Sequence, residues 1–192
     1  MKTLILASSS PYRKAILERL GIPFIAEAPE IDESRLEGES AEALVTRLAL
    51  EKASIVAKHH SNALIIGSDQ VAALGDRILG KPGNHLNSVS QLTELSGKSV
   101  CFQTGLCLFN SDTGQSQLAL VPFWVHFRTL PAELIEAYLQ KEKPYNCAGS
   151  FKSEGLGSVL FERLEGSDPT ALIGLPLIQL VRFLEVEKFP IL

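Results

Sequence analysis

Apolar residues in this chain fall into short unbroken runs and into stripes of helical spacing, and the two alternate through its first half. Leu4-Ile5-Leu6-Ala7 and Ala63-Leu64-Ile65-Ile66-Gly67 contain no polar member, the pattern of strands buried on both faces. Between them, Ile16, Leu17 and Leu20 follow Arg13 at i+3, i+4 and i+7 and predict a helix over Pro11–Leu20. Ser10 is placed to cap it, Pro11 fits its first turn, and Gly21-Ile22-Pro23 stops it. Phe24–Glu27 reads as a strand, and Ser40 caps a long helix running to about His59. Val71–Ala73 and Ile78–Leu79 flank Gly75-Asp76 as a hairpin, and Leu86–Leu95 is a short helix. Val100–Asn110 and Gln117–Arg128 are long strands joined by the turn signal Asn110-Ser111-Asp112-Thr113-Gly114. Pro131–Lys141 is helical, Val159–Leu164 a strand, and a last helix lies around Leu177–Leu184. This order implies a mixed α/β sheet in two lobes with a cleft between them.

Composition narrows the function. The chain has 192 residues, 45% of them hydrophobic, enough for one α/β domain with a real core. A net charge of -4 offers no general basic field for a nucleic-acid backbone, so any phosphate site must be local. The three cysteines, Cys101, Cys107 and Cys147, form no C-x-x-C pair and read as reduced thiols, more as small core residues than as nucleophiles. The apolar start is too short for a signal peptide and no stretch is long enough to span a bilayer, so a soluble cytoplasmic protein is expected.

Several residues break the local pattern. Ser8-Ser9-Ser10 joins the first strand to its helix, where backbone N–H groups and the positive end of the helix dipole suit an anion. Arg13 lies on the inward stripe of that helix, and this suits a polyphosphate; the bland alternative is a snorkelling arginine on a capped surface helix. Lys52 falls inside the apolar arc set by Leu44, Val45, Leu48, Ala49, Ile55 and Val56, a costly position unless the lysine snorkels or meets an anion. Asp69 follows the Ala63–Gly67 run, at the strand end where open α/β sheets place ligands. It suits a general base or a ligand for a divalent cation, or else an Asx turn opening the hairpin. Glu30, Asp32 and Glu33 are further carboxylates for a metal site, or a solvated acidic loop. Lys81 sits in the rigid Gly80-Lys81-Pro82 turn, and Lys152 and Glu154 in a Gly/Ser-rich loop. Together they describe a cationic and carboxylate site for a metal-bound nucleoside polyphosphate.

Competing chemistries lack their residues. The chain has no Gly-x-Gly-x-x-Gly and no Walker loop. No nucleophile elbow supports serine–histidine chemistry. His59, His60, His85 and His126 lack metal-ligand spacing, and His59-His60 reads as a helix C-terminal cap pair.

Six ordered blocks carry a family resemblance over nearly the whole chain: Ser8-Ser9-Ser10-Pro11-Tyr12-Arg13, Leu50-Glu51-Lys52-Ala53, Gly67-Ser68-Asp69-Gln70-Val71, Gly80-Lys81-Pro82, Ala148-Gly149-Ser150-Phe151-Lys152-Ser153-Glu154-Gly155 and Gly174-Leu175-Pro176-Leu177. This resembles the Maf family of nucleotide pyrophosphatases, and within it the subgroup acting on 7-methyl-GTP. The resemblance implies one domain over 1–192, elongated and similar to inosine triphosphate pyrophosphatases, with the site in a central cleft. It implies cleavage of a nucleoside triphosphate between its α- and β-phosphates with a divalent cation, Mg²⁺ or Mn²⁺. By position, Asp69 is the proton acceptor, Glu33, Lys52 and Lys81 complete the catalytic set, and Ser8 and Arg13 bind phosphate. Asp69 and Glu33 are the metal ligands it suggests, and a homodimer is a further expectation. Phe151 stands where many relatives carry tyrosine, so a phenolic hydrogen bond there would be absent.

Three departures from the dTTP- and UTP-directed subgroup bear on the base: Tyr12 in place of arginine, Gln70 in place of threonine and Glu154 in place of glutamine. A 7-methylguanine is cationic and carries donors at N1 and its exocyclic amine. Tyr12 can stack on it, with a cation–π component of about 0.5–2 kcal/mol. Glu154 can accept from both donors while countering the charge. Two alternatives stay open, a dTTP/UTP-type pyrophosphatase and a non-catalytic nucleotide sensor that regulates cell division.

Overall fold

A computed structural model describes residues 2–192. β1 (Thr3–Ala7) lies between β2 (Ile25–Glu27) and β3 (Ala63–Leu74), both parallel to it. These parallel pairs need crossovers, supplied by α1 (Pro11–Leu17) and α2 (Ala41–Ala57). The sheet runs β2-β1-β3-β5-β6-β7, with β4 (Arg77–Leu79) pairing antiparallel to β3 off this path. β5 (Ser99–Asn110), β6 (Ser116–Phe127) and β7 (Phe161–Gly166) are the later strands, and β6 and β7 pair antiparallel. α3 (His85–Leu95), α4 (Ala132–Glu142) and α5 (Leu177–Val186) complete the main elements. The mixed α/β sheet expected from the residue pattern is therefore the one observed.

The chain divides into two compact units. The first holds the residues up to Gln70 together with Gln103–Val121 and Asp168–Leu192. Its strands alternate their apolar residues between two layers. Leu4, Leu6, Leu64, Ile66, Leu106 and Leu108 pack with Ile16 and Leu17 of α1 and Leu180 and Leu184 of α5. Ile5, Ala7, Ala63, Ile65 and Cys107 pack with Ala49, Ala53 and Val56 of α2.

Two glycines let α2 come close to the sheet. A Cβ added at Gly67 would lie 2.0 Å from the Ala49 carbonyl oxygen, and one at Gly105 would lie 2.2 Å from that of Val45. Gly67 lets α2 approach β3 one turn before Lys52, and Gly105 lets it approach β5 one turn earlier still.

The second unit holds Val71–Phe102 and Pro122–Ser167. Phe151 packs edge-to-face with Phe102, Phe127 and Phe161, at centroid distances of 5.3, 5.5 and 5.0 Å. Position 151 is thus a buried core position, suited to a ring without a hydroxyl.

Three local expectations are corrected. β3 does not end at Gly67 but runs on to Leu74, so Asp69 lies inside the strand. The polar triplet is tolerated because each member is bonded: Ser68 and Gln70 to carbonyls on one side, Asp69 to Lys52 on the other. β7 begins at Phe161, and Leu156–Leu160 before it is a 3₁₀ segment. α1 is only seven residues long and passes into a 3₁₀ turn at Glu18–Leu20, so its dipole is small. His59 and His60 follow the end of α2, their N–H groups donating to the Val56 and Ala57 carbonyls, and their imidazoles also reach Glu27 at the β2 edge, at 3.5 and 2.7 Å.

Candidate active site

The junction between β1 and α1 takes its shape from its serines. Ser10 caps the helix by accepting the Arg13 N–H, and Ser8 Oγ accepts the Ser10 N–H at 3.1 Å. Ser8 Oγ also accepts from Arg13 Nη1 at 3.4 Å. In both bonds the hydroxyl oxygen is the acceptor, so its own proton remains for a ligand oxygen. Arg13 Nε donates to the Gly174 carbonyl at 2.8 Å, the same oxygen that accepts from Ser68 Oγ at 2.9 Å. Gly174 holds a φ of +109°, a conformation open to glycine, and this turns its carbonyl to both donors.

The Arg13 side chain keeps some solvent exposure, yet its guanidinium is packed closely by protein. Burial therefore pulls its pKa below the ordinary value, opposed by the charges of Asp69 and Glu33. The arginine stays protonated at any physiological pH, and its remaining N–H groups match a phosphate.

Lys52 reaches the same region from α2. It is buried, 4% exposed, and its Nζ lies 2.7 Å from Asp69 Oδ1 and 2.7 Å from Glu33 Oε1. Asp69 is buried as well, whereas the Glu33 side chain is 59% exposed. Of the three carboxylates of the acidic loop, Glu33 is the one that meets Lys52. Asp32 instead accepts from Ser34, whose hydroxyl first and backbone N–H second hold its carboxyl below the usual range.

The loop is fastened to α2 by Arg47. Its guanidinium grips both oxygens of Glu39, at 2.7 and 2.9 Å, and donates to the Ser34 carbonyl at 3.0 Å, one residue beyond Glu33.

Gln70 is oriented by its amide nitrogen, which donates to the Ala171 carbonyl at 2.5 Å, Thr104 Oγ1 at 3.0 Å and the Leu172 carbonyl at 3.2 Å. Tyr12 is 42% exposed on the first turn of α1. The first unit thus brings Ser8, Arg13, Glu33, Lys52 and Asp69 into one linked cluster.

The second unit holds Lys81 and Glu154, both exposed, with Lys152. Lys152 pairs with Glu142 of α4 at 3.3 Å. Burial is the largest influence on the Cys147 thiol and pushes its pKa up. Cys107 is raised more, to about 12, by burial alone, which suits a core residue and not a nucleophile.

Residues 3–187 match the family model described as Maf-like protein. The chain belongs to the Maf family. The Maf membership bears out the resemblance carried by the six sequence blocks. Curated Maf relatives named 7-methyl-GTP pyrophosphatase align along almost their full length. The protein of Alcanivorax borkumensis is 58% identical over 185 residues, covering 96% of this chain and 94% of its own. That of Colwellia psychrerythraea is 54% identical over 192 residues, covering 100% and 96%. That of Pseudomonas aeruginosa is 54% identical over 187 residues, covering 97% of each. Among solved structures, the Staphylococcus aureus Ham1 protein aligns with a TM-score of 0.53 over 97% of this chain and 100% of that one. At 13% identity that likeness concerns the fold alone.

Three parts of this candidate site were not apparent in the sequence. The Gly174 carbonyl that anchors Arg13 is a backbone atom, although Gly174-Leu175-Pro176 marks the turn that presents it. Arg47 and Glu39 meet through a loop, and the i, i+4 spacing of Arg47 and Glu51 was the one local hint. Glu142, on α4, lies beside the loop of Lys152 and Glu154 and has no local motif at all.

Proposed function

We propose that this Maf protein hydrolyses 7-methyl-GTP to 7-methyl-GMP and diphosphate, removing a modified nucleotide from the cellular pool. The observation that supports the reading most is the buried Lys52 ammonium shared by Asp69 and Glu33, since it keeps a charged carboxylate ready in a site otherwise lined by phosphate-binding groups. The curated names of relatives more than half identical along their length agree with it.

In this reading Lys52 engages Asp69 Oδ1, and Oδ2 takes a proton from the attacking water as the anhydride bond between the α- and β-phosphates breaks. Arg13 and the Ser8 hydroxyl donate to phosphate oxygens, and Lys81 adds a mobile point charge. Positive groups held in advance at the place where charge develops are the main source of rate in phosphoryl transfer.

Asp69 and Glu33 fit a divalent cation. Both are hard oxygen donors, and Mg²⁺ or Mn²⁺ commonly takes one or two carboxylates and fills its shell with water and substrate phosphate. When bound, the ion would neutralise phosphate charge and polarise the bridging phosphates.

Tyr12 and Glu154 read the base, by stacking on the methylated ring and by accepting from its N1 and amine donors. Because the Gln70 amide N–H groups are held by the protein, Gln70 offers its Oε1 and acts as an acceptor toward a base N–H. Among the described residues no helix is long and apolar enough to cross a membrane.

The deciding experiment is diphosphate release with Mg²⁺ or Mn²⁺ across 7-methyl-GTP, GTP, UTP, dTTP and CTP. Preference for 7-methyl-GTP is expected. Preference for a pyrimidine would keep the reaction and overturn the base assignment. No release from folded, metal-supplied protein would favour a nucleotide sensor.

A further inference from the structure

The loop that carries Glu154 is pinned on both sides by α4. Before Glu154, the Lys152 N–H donates to Tyr138 Oη at 3.1 Å, and Lys152 Nζ pairs with Glu142 Oε1 at 3.3 Å. After it, the Leu156 N–H donates to Glu142 Oε2 at 2.9 Å. Glu142 therefore holds the backbone beyond Glu154 with one oxygen and the side chain before it with the other. Its side chain is only 15% exposed, and both bonds are charge-assisted. Gly155 makes the grip close, since a Cβ there would lie 2.7 Å from Glu142 Oε2. Tyr138 is buried at 3% exposure, and its oxygen is fixed by packing. Glu154 itself is exposed and accepts from Ser153 Oγ at 3.1 Å. Its carboxylate owes its position to its neighbours in the chain.

We propose that Glu142, assisted by Tyr138, is a positioning residue for base selectivity: α4 fixes the Lys152–Leu156 loop so that the Glu154 carboxylate stands where a purine's N1 and amine donors meet it. This rests on the reading of Glu154 as the base acceptor. A carboxylate that must accept two parallel N–H bonds tolerates little displacement, because both bonds weaken together as it tilts. Slack in the loop then lowers discrimination between bases and leaves the phosphate chemistry of the first unit in place.

The test is the ratio of kcat/KM for 7-methyl-GTP to that for UTP, measured in Glu142→Gln, Tyr138→Phe, Glu154→Gln and Glu142→Gln/Glu154→Gln. Glu142→Gln keeps an acceptor for Leu156 but loses the ion pair, and the ratio is expected to fall about tenfold, the scale of a small misplacement. Turnover of UTP should change less than about twofold, because only an oriented acceptor is lost. Tyr138→Phe should lower the ratio in the same direction, and it serves as the test if Glu142→Gln fails to fold. The double variant should fall no further than Glu154→Gln alone, since a positioning residue has nothing left to position. A ratio unchanged by Glu142→Gln and Tyr138→Phe, while Glu154→Gln lowers it, would overturn the positioning role and leave the base reading intact. A ratio unchanged by Glu154→Gln would overturn both.

Discussion

Lys52 Nζ stands 2.7 Å from Asp69 Oδ1 and the same distance from Glu33 Oε1, so one buried ammonium holds a strand carboxylate and a loop carboxylate together. The arrangement is asymmetric. Lys52 keeps a partner if either acid is lost, whereas buried Asp69 loses the ammonium it is hydrogen-bonded to if Lys52 is lost.

That asymmetry predicts unequal costs. Lys52→Met should destabilise the fold by about 3 kcal/mol, because it strands a buried carboxylate. Asp69→Asn should cost about 1 kcal/mol or less, since Glu33 still neutralises the lysine. Both should lower diphosphate release by about 100-fold or more, through loss of charge stabilisation or of the proton acceptor. Urea unfolding checks the stability order, and equal losses in the two variants would contradict it.

Much of this was legible in the residue pattern, and the limits have physical causes. Lys52 stood out because a cation inside an apolar arc needs an anion, and the structure supplies two. β3 was cut short at Gly67 because Ser68-Asp69-Gln70 resembles a turn. Only the carbonyls of Gly105, Gly174 and Ala171, distant in sequence, show how a strand accommodates it. Arg13 was placed on the inward face by helical spacing, but its anchor at Gly174 lies at the far end of the chain and leaves no periodic trace. The role of Glu142 is of the same kind, a side chain reaching a loop that follows it.

Gly67 is where the approach of α2 to β3 can be tested. In Gly67→Ala the new methyl would meet the Ala49 carbonyl at 2.0 Å and Ala53 Cβ at 3.0 Å, both on the helix that carries Lys52. Backbone cannot swing aside as a side chain can, so a loss of about 3 kcal/mol or more is expected. Gly114→Ala makes the control, having a φ of +69° but no atom within 4 Å of the added carbon. It should cost only about 1 kcal/mol of backbone strain. Thermal unfolding of the two variants checks the difference, and similar losses would show that close approach at Gly67 is not needed.

Arg13→Lys separates charge from geometry. The ammonium keeps the positive charge but cannot donate to Gly174 and Ser8 while presenting a planar edge to phosphate. KM for the nucleotide should rise by about tenfold or more, as expected when a bidentate contact is lost. Steady-state kinetics on the folded variant checks this, and an unchanged KM would return Arg13 to a structural role.

The Arg47–Glu39 clamp predicts a pH dependence. Arg47 grips both oxygens of Glu39, and this holds the carboxyl at about 2, below its ordinary value of 4.5. A carboxyl held low in the folded state binds its proton less readily there than in the unfolded chain. Its contribution to stability is therefore complete above pH 4.5 and fades as the pH falls toward about 2. Carbon NMR of the Glu39 carboxyl should show its titration near the low value in the intact protein and near 4.5 in Arg47→Ala. The stability difference between the two proteins should be constant above pH 4.5 and shrink below it. Because Arg47 also holds the Ser34 carbonyl, Arg47→Ala should loosen Glu33 from Lys52 and lower turnover at neutral pH as well. Full activity in a variant whose Glu39 titrates normally would show that Glu33 needs no clamp.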